Sequence, residues 1–246
     1  MMMYHIILYW IGLFTAATSD TNNNLSIAYS VKFNDEFDRG RKERLYQASL
    51  EISDGKSKYY MVAKESFQPT DEHDLRFTPD SSHLVFTSQN ESVLIAQEYG
   101  FNGKAFFVSD SLYPMVWEIL PDQKQIDSLV CVKARCHFRG REYIAWFAPE
   151  IPLPYGPWKM GGLPGLIVDL QDVDENLVVQ LQSIQFKSSA FDLPNKVKYT
   201  MEKHIEELKK VTQRLQQSAS VDQSGNCLSC KGSSKASFYF WEKLPQ

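Results

Sequence analysis

The sequence predicts an α+β fold: a single curved, mostly antiparallel β-sheet, half-barrel-like, with one C-terminal amphipathic helix packed on it. Most of the chain divides into short segments rich in β-branched and aromatic residues, and aromatic residues make up 13% of it. One stripe of apolar residues recurs at helical spacing: Met201, Ile205, Leu208, Val211 and Leu215. No linker-like segment divides residues 20–246, so we expect one domain there.

The N-terminal segment predicts export. An apolar run from Ile6 to Ala17 is followed by the small residues Thr18 and Ser19, which is the pattern of a signal peptide spanning residues 1–19. A membrane anchor is the alternative reading, but about 12 apolar residues are too few to span a bilayer. No later run of about 18 apolar residues occurs. We therefore expect a periplasmic or extracellular protein with no transmembrane segment once the signal is removed.

The first half of the mature chain is predicted to be mostly strands. Asp54-Gly55 is a strong hairpin-turn signal between two of them. Residues 39–49 fit either a short helix or a polar strand, and residues 64–92 are polar and expected to be irregular around one strand. The segments predicted as strands are two within 48–63, and 25–33, 83–87, 92–99 and 104–110.

The second half is predicted to continue the sheet and to end in the helix and a last strand. A turn is expected at Arg139-Gly140-Arg141. Thr200 is expected to cap the helix, and Glu206 and Lys210 are spaced as an i,i+4 ion pair. The segments predicted as strands are 126–138, 142–151, 165–172, 176–186 and 236–244.

The loop between Pro149 and Ile167 is unusual because it holds five prolines and four glycines yet is strongly apolar. Proline and glycine fix sharp bends, and a positive φ is expected at Gly165. We interpret the loop as a rigid, buried crossover anchored by Trp158. The residues expected to form it are Gly156, Pro157, Gly162, Leu163, Pro164, Gly165, Leu166 and Ile167.

The alternative interpretation of this loop is a binding mouth. Trp146, Tyr155 and Trp158 would then line a groove on the open sheet, with Glu150 at its entrance. Arg141, beside a turn glycine, is a candidate anion contact. The two interpretations differ in whether Trp158 is buried.

Four cysteines, Cys131, Cys136, Cys227 and Cys230, are disulfide candidates because export leads to an oxidising compartment. A bond between Cys131 and Cys136 is excluded if both lie on one strand, since residues five apart would point to opposite faces. The spacing is a poor match to a zinc ribbon, so no metal is expected.

Composition and motifs argue against several function classes. The chain has 26 basic and 30 acidic residues and no long basic run, which gives no support to nucleic-acid binding. It lacks G-x-S-x-G, H-E-x-x-H and a P-loop, so no catalytic residue and no cofactor is expected.

The region from Trp117 to Asp172 resembles the signature region of the GLPGLI family, exported proteins of Bacteroidetes without an established function. The chain carries the family's name sequence at Gly162 to Ile167. Other matching positions are Trp117, Cys131, Lys133-Ala134, Gly140-Arg141, Trp146, Ile151-Pro152 and Gly156-Pro157. The resemblance implies an export signal and a β-rich fold, and names neither a substrate nor catalytic residues.

These observations together favour a non-catalytic protein of the cell envelope. We expect it to bind an apolar ligand or another envelope component. Because a similar module precedes the catalytic part of some exported glycan-processing enzymes, the alternative is an accessory domain or a divergent hydrolase acting on glycans or peptides.

Overall fold

A computed structural model describes residues 24–34, 43–63, 83–99, 104–187 and 190–218. The predicted signal peptide, the strand predicted at 236–244, Cys227 and Cys230 lie outside these residues. Within them the chain forms twelve strands and one helix. These are β1 (Leu25–Asn34), β2 (Glu43–Ser53), β3 (Lys56–Ala63), β4 (His83–Ser88), β5 (Val93–Tyr99), β6 (Ala105–Ser111), β7 (Glu118–Ile126), β8 (Leu129–Phe138), β9 (Arg141–Ala148), β10 (Leu166–Asp172), β11 (Leu177–Phe186), β12 (Val197–Thr200) and α1 (Met201–Ser218).

All twelve strands belong to one open, mixed sheet in the order β12-β6-β5-β4-β3-β2-β1-β11-β10-β9-β8-β7. Neighbouring strands are antiparallel except β12 and β6, which are parallel. The β-rich fold with one helix agrees with the sequence prediction. Among the described residues, no helix is long and apolar enough to cross a bilayer.

Side chains alternate strictly along β1, which separates the two faces of the sheet. Leu25, Ile27, Tyr29, Val31 and Phe33 are buried, and the residues between them are half-buried. Strand register carries this alternation to neighbouring strands. We call the face with the buried residues the inner face and the opposite one the outer face.

The turns follow local sequence chemistry. The predicted hairpin between β2 and β3 is confirmed, with positive φ at Asp54 and Gly55. The strand predicted over 126–138 is confirmed from Leu129 to Phe138 as β8. Its predicted start is wrong, because β7 ends at Ile126 and the chain reverses at Asp127, which has a φ of 53°. Pro121 is tolerated in β7 because this strand lies at the end of the sheet.

Helix α1 follows β12 directly and packs against β6 and β12. Its predicted cap is confirmed, since the Thr200 hydroxyl accepts a hydrogen bond from the Lys203 backbone N–H at 3.4 Å. The predicted ion pair between Glu206 and Lys210 also forms, at 2.7 Å. The sequence did not indicate β12, because its four residues are mostly exposed and lack an apolar pattern.

Candidate functional site

The central part of the Gly/Pro-rich loop, residues 155–161, is buried in the core. It leaves β9 at Ala148, pairs Tyr155 with Gly161 in an isolated bridge, and returns into β10 at Leu166. Trp158 is only 5% exposed, and its ring packs edge-on against Phe138 of β8 at 6.0 Å between centroids. An aromatic pair of this geometry contributes about 0.5–1.5 kcal/mol beyond area burial.

Close packing leaves no room for a Cβ at three glycines of the loop, Gly156, Gly161 and Gly165. A Cβ at Gly161 would lie 2.3 Å from the Tyr113 ring, and the Trp117 indole N–H donates to the Gly161 carbonyl at 2.8 Å. At Gly165 the expected positive φ is wrong. A Cβ there would instead meet the Ala148 carbonyl oxygen at 2.4 Å, so the backbone of β9 excludes a side chain. Positive φ is found at Gly162, at 84°.

Trp158 itself has a φ of 56°, in the left-handed region. For a residue with a Cβ this conformation costs about 1–2 kcal/mol. Bulky residues adopt it only where the surrounding structure fixes them. Burial of the indole therefore has to offset local backbone strain at the tip of the loop.

The residue after Trp158 brings a charge into the interior. Lys159 is 3% exposed, and its ammonium lies 3.3 Å from a carboxylate oxygen of Glu98 on β5 and 5.3 Å from the centroid of the Trp158 ring. Burial, together with the charge of Lys159, lowers the pKa of His83 on β4 to about 4. Sequence reasoning missed this cluster, since nothing in the pattern around Lys159 distinguishes it from a surface lysine.

Arg141 does not face solvent as an anion contact would. It is 9% exposed, and its guanidinium donates to the Asp172 carboxylate at 2.6 Å. The other oxygen of Asp172 accepts the Leu177 backbone N–H at 2.9 Å. This buried pair joins the start of β9 to the turn between β10 and β11, so the anion-contact interpretation of Arg141 is corrected.

The aromatic groove proposed from the sequence does not form, because its members lie on opposite faces. Tyr155 and Trp158 are buried on the inner side. Trp146 lies on the outer face, since the alternating residues Tyr143, Ala145 and Phe147 occupy the inner one.

On the outer face, Trp146 is flanked by two lysines. The ammonium groups of Lys124 and Lys133 lie 4.5 and 5.8 Å from its ring centroid, and Lys124 also pairs with Asp169 at 2.9 Å. Glu150 is exposed near this cluster and accepts the Val130 backbone N–H at 3.2 Å.

The cysteines of β8 are buried free thiols. Cys131 and Cys136 lie on opposite faces of β8 and are not bonded to each other, in agreement with the sequence prediction. Burial raises the pKa of Cys131 to about 11 and that of Cys136 to about 12, so both thiols stay protonated at neutral pH. Among the described residues, no group of three or more His, Cys, Asp or Glu side chains is placed to hold a metal ion.

A depression of about 430 Å³ lies where β5, β6 and the start of β12 meet. We call it the edge depression. Its lining is largely apolar, with basic side chains and one amide among it: Gln97, Ala105, Phe106, Phe107, Lys196, Val197 and Lys198. The volume lies within the range of small-molecule sites in proteins. No sequence pattern indicates the edge depression, because it depends on the parallel pairing of β12 with β6.

One ring of the lining, Phe106, is held by β12 and helix α1. Phe106 packs edge-on against Tyr199 at 5.9 Å and against His204 at 5.3 Å. Its register partner on β5 is Glu98, the residue that binds Lys159. The tip of the Gly/Pro loop and the wall of the edge depression are therefore adjacent across one pair of strands.

Comparison with known proteins does not identify a function. No protein-family model matches the chain, and no curated protein matches it. Two crystal structures of PNGF-II, in different space groups, show a distant likeness. One has a TM-score of 0.48 and 13% identity, over 76% of this chain and 33% of that one. The other has a TM-score of 0.46 and 16% identity, over 72% and 30%. The chain thus spans about a third of the length of PNGF-II, and nothing about function follows from a likeness this distant.

Proposed function

We propose that the chain is an exported, non-catalytic protein of the cell envelope, similar to the GLPGLI family, that binds an apolar ligand in the edge depression. The observation that carries the proposal is the composition of the lining, where Ala105, Phe107 and Val197 share one face of the sheet and are apolar. A concave, mainly apolar lining with a few polar groups is typical of a ligand site.

The proposal includes a half-barrel sheet curved around the Gly/Pro loop. Phe138 on β8 and Glu98 on β5 are eight strand positions apart, which is roughly 38 Å in a flat sheet at about 4.8 Å per strand. Yet Trp158 contacts Phe138 and its neighbour Lys159 contacts Glu98. Adjacent Cα atoms are only about 3.8 Å apart. Strong curvature of the sheet accounts for both contacts.

A second contact supports the same curvature. Arg139, in the turn after β8, donates to Asp110 of β6 although nine strand positions separate these two strands. In this arrangement the loop braces the inner face, and the edge depression lies at one end of the sheet.

The binding site is tested with a neutral apolar probe, Nile red, whose fluorescence rises on transfer from water to an apolar site. Val197→Asn changes an exposed wall residue, and Val173→Asn is the matched control because Val173 is also exposed but lies after β10. We expect Val197→Asn to weaken probe binding about fivefold through lost apolar contact, and Val173→Asn to leave it unchanged.

Other outcomes would favour other functions. Equal probe binding by both variants would contradict the assignment of the site. Hydrolysis of a glycan or peptide by the purified protein would support the divergent-hydrolase alternative. Export predicts a mature N-terminus at or near Asp20, and an intact Met1 on membrane-bound protein would contradict it.

A further inference from the structure

The side-chain amide of Gln97 shares one face of the sheet with the apolar lining of the edge depression. Strand register continued from β1 to β6 places Gln97 on the outer face, directly opposite Phe107 of β6. Val197 of β12 is in turn the register partner of Phe107. Gln97, Phe107 and Val197 therefore form one row across three adjacent strands, which are about 4.8 Å apart. The amide lies at one end of this row, and the other two side chains are apolar.

The apolar part of the row is fixed by packing on the outer face. Phe107 packs edge-on against Phe86 of β4, with 6.1 Å between the ring centroids, and Phe86 contacts Phe191 at 6.4 Å. Phe86 is buried, so Phe107 is supported by a ring that solvent hardly reaches. Because Phe107 itself is half-exposed, the row offers a fixed apolar surface to a ligand.

A second residue of β5 sets the orientation of the amide. Tyr99 lies two residues after Gln97 and hence on the same face of the strand. The Gln97 Nε2–H donates a hydrogen bond to the Tyr99 hydroxyl oxygen at 2.7 Å. This bond turns the nitrogen of the amide toward Tyr99 and the carbonyl oxygen away from it. No described residue donates to Gln97 Oε1, so the amide presents a hydrogen-bond acceptor in the lining.

From this arrangement we infer that the ligand of the edge depression is a neutral amphiphile whose polar end carries a hydrogen-bond donor, such as the hydroxyl of a long-chain alcohol. The inference rests on the proposed function. The hydroxyl donates to Gln97 Oε1, and the alkyl chain lies along Phe107 and Val197. An acceptor that a ligand covers without supplying a donor loses its bond to water, so a ligand lacking the donor binds less tightly.

The charged side chain of the lining does not make the same selection. Lys196 is exposed, and its ammonium can only donate hydrogen bonds. It can therefore bind the oxygen of an alcohol and the oxygen of an ether alike. A preference for a ligand with a donor thus depends on Gln97.

The test compares two isomers that differ in the donor. Decanol and methyl nonyl ether have the same formula and nearly the same length, but only the alcohol has an O–H group. Each is titrated, below its solubility limit, into full-length protein loaded with Nile red, and the loss of fluorescence gives its dissociation constant. We expect decanol to bind about fivefold more tightly than the ether, which is the net effect of one neutral hydrogen bond.

Two variants of β5 assign this preference, and they do so in different ways. Gln97→Leu removes the acceptor, so decanol should bind about fivefold more weakly while the ether binds as before. Tyr99→Phe removes the hydroxyl that holds the amide, so the Nε2–H becomes available to the ether. The preference should then fall to less than about twofold because ether binding improves, an effect that a purely structural role of Tyr99 would not produce.

The matched control is Gln125→Leu. Gln125 lies on β7, is exposed, and also donates its amide N–H to a neighbouring oxygen, the Asp127 carbonyl at 3.0 Å. This variant should keep the preference of about fivefold. Circular dichroism of all variants checks that the fold is retained.

The outcomes separate this inference from the proposed function. Equal binding of the two isomers, or an unchanged preference in Gln97→Leu, would overturn the inference and leave the apolar site intact. Tighter binding of the ether would overturn it as well, because the amide would then present its N–H groups to the ligand. Failure of Nile red to bind, or of both isomers to displace it, would overturn the proposed function itself.

Discussion

Replacing Trp158 tests whether the Gly/Pro loop braces the fold. The side chain is 5% exposed and packs on Phe138, so Trp158→Ala removes a buried indole and should cost about 3–5 kcal/mol of unfolding free energy. Alanine keeps a Cβ and does not relieve the left-handed strain. Trp158→Gly should therefore cost no more than Trp158→Ala, although glycine at an ordinary buried position is the more destabilising of the two.

The matched control is Trp146, the tryptophan on the outer face. Its indole is only partly buried, and the ammonium groups of Lys124 and Lys133 flank it, each contributing about 0.5–1 kcal/mol. Trp146→Ala should therefore cost about 1–2 kcal/mol. Urea unfolding followed by circular dichroism measures all three variants. A Trp158→Ala protein within about 1 kcal/mol of wild type, or less destabilised than Trp146→Ala, would refute the reasoning.

Three further expectations follow from the described contacts. Gly165→Ala should lower the free energy of unfolding by about 1–3 kcal/mol, because the new Cβ would overlap the backbone of β9. Gly162→Ala should lower it by about 1 kcal/mol, because Gly162 has a positive φ. Equal losses in urea unfolding would contradict this. Because the pKa of His83 is lowered in the folded protein, the unfolded chain binds a proton at a higher pH than the folded protein does. The free energy of unfolding should therefore decrease as pH falls from about 6.5 to about 4. His83→Gln should flatten that dependence of the melting temperature. Cys131 and Cys136 should resist iodoacetamide at pH 8 until the protein unfolds, because burial raises the pKa of both thiols; peptide mass spectrometry would reveal labelling of the folded protein.

Local chemistry was enough to predict most of the sheet. The Asp54-Gly55 turn, the alternation of β1 and the Thr200 cap each depend on residues close in sequence, so their patterns are visible without tertiary contacts. Only the start of the strand predicted over 126–138 was misplaced, because Asp127, a non-glycine residue, takes positive φ in a turn without a glycine.

The candidate site could not be predicted in the same way. Lys159 is paired with Glu98, which is 61 residues away, and only the fold brings them together. The edge depression depends on β12 pairing in parallel with β6, a contact between segments about 90 residues apart in the sequence. The predicted groove of Trp146, Tyr155 and Trp158 does not form, because alternation along β9 places Trp146 on the face of the sheet opposite the loop.

Pro121 in β7 has a consequence for the behaviour of the protein at high concentration. A strand at the end of an open sheet presents backbone groups that can recruit a strand of another molecule. β7 interrupts that row with a residue lacking an N–H and with a register shift between Ile119 and Gln123. At the opposite end, β12 is only four residues long. Both ends of the sheet are thus poor templates for aggregation, and Pro121→Val should raise light scattering during refolding more than it changes stability.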